Sequence, residues 1–166
     1  MFRTIDDFLE IWEYETEATL KVFQELTDES LGQQVTPDGR SLGRLAWHIV
    51  QTLPEMAGRT GLDLHGPAEN EPIPPRAQDI LQEFRKAADS LADAVRNQWT
   101  DDDLHVEDDM YGESWPRGKT LVSVVNHQTH HRGQMTVLMR QAGLKVPGVY
   151  GPSREEWDQY GMPAQE

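Results

Sequence analysis

Apolar residues recur three and four positions apart in four long segments of the chain, which places them on single faces of helices rather than alternating across strands. The first helix is predicted from Ile5 to Leu26, with Ile5, Phe8, Leu9, Trp12, Val22, Phe23 and Leu26 on one side. Thr4 and Asp7 at its start have the form of a capping box, with Asp in the usual Glu place. Thr16 and Thr19 interrupt the apolar stripe at mid-length. The floor of a polar pocket and threonines bonded back to their own helix are both open readings there.

The turn "TPDGRS" leads to Ser41 as N-cap of a second helix, Leu42 to Arg59. Pro54 within it predicts a kink, or an early end, one turn beyond His48. The Gly/Pro-rich stretch "GLDLHGPAENEPIPP" then makes a loop. A third helix is predicted from Arg76 to Trp99, with Ile80, Phe84, Ala87, Ala88, Leu91 and Val95 facing inward. A fourth starts near Thr120, an N-cap candidate, and ends near Gly143, a natural C′ residue. Before it lies a long acidic loop, "TDDDLHVEDDMYGESWPRGK", with room for a short hairpin or lid. The loop lacks the sixth-position glycine of an EF-hand, which sets a calcium reading aside. The tail is irregular, with one helical turn over 153–160. No repeat or linker divides the chain, so the expectation is an all-α fold in one domain covering residues 1–166.

On the fourth helix, steps of about 100° per residue put His127 and His131 on the side of Leu121, Val124, Met135 and Leu138. An i, i+4 histidine pair brings two imidazoles over one turn, a spacing that suits joint coordination of a divalent ion. His48 joins the inward face of the second helix with Leu45, Ile49 and Met56. Taken alone it reads as a satisfied core histidine; with the pair it offers a third nitrogen. His130 points off the stripe, and His65 and His105 sit among polar loop residues.

Gly133 lies opposite the histidines, where a glycine costs about 1 kcal/mol relative to alanine. Val122, Asn126, Thr129 and Val137 share that outer face, and only Arg140 on it is charged. So little charge predicts cover on both sides, by the tail or by a second copy in a homodimer.

Composition narrows the chemistry. The absence of cysteine excludes disulfides, thiolate ligands and a thiol nucleophile of the chain's own. Fifteen basic residues against 29 acidic ones leave a net charge of −14, which repels phosphate backbones and argues against nucleic acid as a partner. No apolar run approaches the roughly 18 residues of a membrane span, and the acidic amino terminus does not read as a targeting segment. A cytoplasmic protein without a membrane partner is expected. Gln128 follows His127 where a zinc peptidase helix carries its Glu base, which disfavours peptidase chemistry.

Together "LAWHIVQTL" around His48 and "NHQTHHRGQMTVLMRQAGLKVPGVYGPSREEW" from Asn126 onward resemble the DinB/YfiT-like family of metalloenzymes. The resemblance implies a four-helix bundle of up-down-down-up type, often dimeric, with nickel or zinc held by three histidines that match His48, His127 and His131. It also implies a small-molecule substrate and transfer or isomerisation chemistry with a low-molecular-weight thiol such as bacillithiol, mycothiol or glutathione. Arg132, Arg140 and Lys119 are candidates to hold the carboxylates of such a thiol, against their plain reading as solvated charges. Metal-assisted hydrolysis and a non-catalytic, metal-binding stress-response module are the alternatives.

Overall fold

The computed structural model describes Met1–Ala164. Four α-helices carry most of the chain: α1 (Ile5–Gln24), α2 (Leu42–Gly58), α3 (Ala77–Gln98) and α4 (Arg117–Gln141). α2 packs against α3 and α4, and α1 closes the ring against the same two. Among the described residues no helix is long and apolar enough to cross a membrane.

Aromatic pairs lie toward both ends of α1, in a core that is otherwise largely aliphatic. Phe8 stacks on Trp12 with ring centroids 5.8 Å apart, and Phe23 meets Phe84 at 5.2 Å. Trp12 is almost fully buried, and its Nε1 donates to the Ala88 carbonyl at 3.1 Å, so its one polar atom is satisfied while it ties α1 to α3.

Local chemistry sets the helix ends. Thr4 caps α1 as predicted, its Oγ1 accepting from Asp7 N at 3.1 Å. The reciprocal half of the box is shifted by one residue, because the Asp7 carboxylate accepts from Arg3 N rather than from Thr4 N. At α3 the capping comes from a distance: Asp28 Oδ1 accepts from Ala77 N at 2.7 Å. α2 runs through Pro54 to Gly58 without ending early. The ring of Pro54 instead becomes a packing surface, since a Cβ on Gly66 would stand 2.7 Å from Pro54 Cγ and only glycine lets the loop come so close. That loop is pinned to α2 by Trp47 Nε1 on the Glu71 carbonyl and Gln51 Nε2 on those of Ala68 and Glu69.

The all-α expectation needs correction in the acidic loop. After a 3-10 turn (Asp101–His105), residues Glu107–Met110 (β1) and Glu113–Pro116 (β2) pair as an antiparallel hairpin. Its two turn residues, Tyr111 at φ 62° and Gly112 at φ 84°, have the paired positive φ of the turn that matches strand twist. Tyr111 is held there by its hydroxyl, which donates to Glu55 Oε2 at 2.8 Å, and by the Arg59 guanidinium over its ring at 4.4 Å. The hairpin also moves the start of α4. Strand β2 runs directly into Arg117, whose N donates to the Val106 carbonyl and whose side chain pairs with Asp103 and Asp108. Thr120 therefore lies inside α4, buried, and is not its cap.

α4 ends as predicted. Gly143 takes φ 73°, with Leu144 N bonded to the Met139 carbonyl and Gly143 N to that of Arg140. The tail includes a 3-10 helix at Arg154–Tyr160 and crosses back over α1 and α4. It does not cover the outer face of α4 at Gly133, where an added Cβ would meet nothing within 4 Å, and Val137 is 53% exposed.

Candidate metal centre

α2 and α4 make the most extensive helix contact in the chain, and each contributes inward histidines to it. His48 comes from α2, while His127 and His131 come from successive turns of α4. The rings gather closely, with centroids 4.5 Å apart for His127 and His131, 4.7 Å for His48 and His131, and 5.0 Å for His48 and His127. One ring nitrogen from each lies within 4.8 Å of the others.

The nitrogen lone pairs can be assigned. His131 Nδ1 donates to Gln134 Oε1 at 2.7 Å, which leaves His131 Nε2 unprotonated and aimed at His127 Nε2, 3.2 Å away. Two imidazole nitrogens each about 2.0–2.1 Å from one tetrahedral ion stand about 3.3 Å apart. The observed spacing fits that requirement, and Gln134 supplies the outer hydrogen bond that a metal-ligating histidine normally makes. Gln134 also uses its Nε2 on His130 Nε2 at 3.1 Å, and the His130 ring, exposed and off the inward stripe, meets that of His131 edge-on with centroids 4.9 Å apart.

Protonation agrees with the geometry. Burial, reinforced by the positive charges around them, pushes His48 and His127 down to about 4. Burial also lowers His131, against the opposing effect of its bond to Gln134. All three rings are neutral near pH 7, the state in which imidazole binds a metal. His65 and His105 are exposed and remote from this cluster, as their loop positions suggest. Gln128, where a zinc peptidase has its base, turns away and donates to the Glu15 carbonyl of α1.

Each of the three cations proposed for cosubstrate binding has a partner within the chain. Arg140 is paired with Glu155, and Lys119 lies over the Trp115 ring at 3.9 Å. Arg132 is buried, with Nη2 2.7 Å from Glu15 Oε2 and Nη1 bonded to Thr19 Oγ1 and the Glu15 carbonyl. The tail completes this arrangement: Tyr150 hydroxyl donates to Glu15 Oε1 and accepts from Arg132 Nη2. Thr19, one of the two threonines that broke the α1 stripe, is thus a ligand of a buried guanidinium rather than the floor of a pocket. Glu15 was missed in the sequence. The signal was there, since Glu15 lies on the Trp12 side of α1 and Arg132 on the Met135 side of α4, opposite charges on two inward faces.

A helical fold that brings three neutral histidines from two helices to one point defines the class of protein, and the comparison with known families agrees. The DinB family profile matches residues 1–165, and the chain belongs to that family. Over 164 residues, 99% of this chain and 98% of the relative, it is 46% identical to YrdA, an uncharacterized protein of Bacillus subtilis (strain 168). The crystal structure of a DinB-like protein from Bacillus cereus ATCC 10987 superposes with a TM-score of 0.88 at 48% identity, covering 90% of this chain and 100% of that one. YjoA, a DinB-like protein of Bacillus subtilis, superposes with a TM-score of 0.68 at 14% identity over 88% of this chain and 99% of its own, a likeness of fold.

Proposed function

We propose that this chain is a cytoplasmic metalloenzyme built on a four-helix bundle, in which His48, His127 and His131 hold nickel or zinc and a low-molecular-weight thiol is activated for transfer to a small electrophile. The 3.2 Å approach of two imidazole nitrogens, one with its lone pair fixed by Gln134, carries the reading. A divalent ion held by three neutral imidazoles keeps its full charge and coordination room, and so lowers the pKa of a thiol or water brought to it. The chain's own residues supply the rest. Gln134 orients His131, burial keeps the rings unprotonated, and the apolar walls of α2 and α4 limit the access of water. With no cysteine in the sequence, a sulfur nucleophile has to arrive with the cosubstrate.

The test pairs metal content with activity. Wild-type protein loaded with zinc or nickel is expected to consume thiol and electrophile together, and His131→Ala to lose both the ion and the activity. Full activity in a metal-free preparation refutes the proposal. Turnover that proceeds without added thiol replaces transfer by hydrolysis at the same centre.

A further inference from the structure

The chain carries a charge of −14, yet the cavity that opens beside the histidine cluster has no carboxylate in its wall. Val35, Leu45 and Leu138 form its apolar side, and Arg40, His131 and Gln134 its polar side. Its volume of about 330 Å³ is within the range of small-molecule sites.

Arg40 is the unusual member. Seven of the eleven arginines pair with a carboxylate; Arg40, Arg44, Arg85 and Arg154 have no ion pair among the described residues, and of these four only Arg40 lines the cavity, its side chain making no hydrogen bond. Arg44, four residues on and half-buried in the first turn of α2, is likewise without a carboxylate partner among the described residues. The backbone that carries Arg40 is nonetheless fixed. Gly39 N bonds to the Thr36 carbonyl at 2.9 Å, Gln34 Nε2 to the Gly39 carbonyl at 2.7 Å, and Leu42 N to the Gln33 carbonyl at 2.8 Å. Arg40 is close enough for its charge to act on all three rings of the cluster, and Arg44 for its charge to act on His48. In a protein with carboxylates to spare, an unpaired guanidinium in the wall of this cavity leaves a positive charge unmatched.

We propose that this cavity binds a small organic carboxylate, with Arg40 pairing the acid group and Val35, Leu45 and Leu138 covering a short apolar body whose other end lies at His131. The planar guanidinium fork matches a carboxylate with two parallel hydrogen bonds. A phosphate dianion would set its remaining oxygens against leucine and valine, at a desolvation cost the cavity does not offset. As a substrate site this assignment rests on the three-histidine metal reading; as a binding site it does not.

The experiment is a titration of the full chain with hexanoate, and with hexanol as the uncharged match, followed by the methyl resonances of Leu45 and Leu138. Zinc-loaded and metal-free protein are both titrated. Hexanoate is expected to shift both leucines saturably, with affinity falling roughly 10- to 100-fold in Arg40→Gln, the loss given by removing a charged hydrogen-bond partner. Arg40→Lys should recover part of it, and hexanol should bind no better than hexanoate binds to Arg40→Gln. Because the Arg40 side chain is exposed and makes no internal bond, Arg40→Gln should keep the wild-type unfolding midpoint. Equal hexanoate affinity in wild type and Arg40→Gln, or shifts that avoid Leu45 and Leu138, overturns the proposal. Hexanoate binding that depends on Arg40 in protein unable to retain zinc supports the anion site and removes the metal reading. Zinc retention by the histidines without hexanoate binding does the reverse.

Discussion

Replacing Arg132 by Met tests how α1 and α4 are braced against each other. The substitution removes a guanidinium that is 2% exposed and leaves the Glu15 carboxylate, in a residue 5% exposed, with Tyr150 and Thr129 as its remaining side-chain partners. Breaking a buried ion pair from one side costs about 3–5 kcal/mol, because the surviving charge stays desolvated. For a chain of 166 residues each kcal/mol lowers the midpoint by about 2–4 °C, so the single variant should melt roughly 6–20 °C early. Replacing both partners, as Glu15→Met with Arg132→Met, removes the stranded charge and should be less harmful than the sum of the two singles, with a coupling of about 0.5–3 kcal/mol. The assay is urea unfolding of wild type, both singles and the double, compared by midpoint at unchanged slope. A loss below about 1 kcal/mol in Arg132→Met, the value of an exposed pair, refutes the reasoning, as do strictly additive singles.

Other outcomes follow from the same geometry. Gln134→Leu removes the acceptor that fixes the His131 tautomer and should weaken zinc binding by about 10- to 100-fold in chelator competition; unchanged affinity means that Gln134 does not orient the ligand. For metal-free protein, His48 and His127 titrate at about 4 when folded and near 6.5 when unfolded, so the unfolded chain binds more protons between those values and stability rises with pH across them. The support from these groups is complete above about pH 6.5 and is lost as the pH falls toward 4, which urea midpoints should show; a His48→Phe, His127→Phe variant should give a shallower slope, and an equal slope counts against the assignment. We also propose that the uncovered, uncharged stripe of α4 at Asn126, Gly133 and Val137 is a homodimer contact. Light scattering should give twice the chain mass for wild type and one chain mass for Gly133→Arg with Val137→Glu, and a monomeric wild type removes the idea.

The four helices were legible because apolar residues recur at helical spacing along each, and the caps at Thr4, Ser41 and Gly143 act through their own side chains or φ angles. Features that depend on partners far along the chain were not legible. Thr120 has the residue type of a cap, but Arg117 is anchored to Val106, Asp103 and Asp108 across the hairpin, and the helix starts there instead. The hairpin itself was readable only as room for one. Its turn carries Tyr before Gly, and the interactions that hold tyrosine at positive φ come from Glu55 and Arg59 of another element.

The candidate site divides along the same line. The histidine cluster was visible because a histidine on an inward face has to find partners, and the i, i+4 pair constrains where those partners are. The buried ion pair was hidden by its own charges, since Glu15 and Arg132 each look solvated until the two helices are set side by side. Arg40 was hidden in the opposite way: nothing in "TPDGRS" distinguishes it from a surface residue, and its meaning comes from the cavity it lines and the carboxylate it lacks. In an acidic chain the sign of a residue therefore says less than whether the fold gives it a counter-charge. By that criterion Arg132, Arg140 and Lys119 have counter-charges within the chain, and Arg40 is the uncompensated cation that lines the cavity.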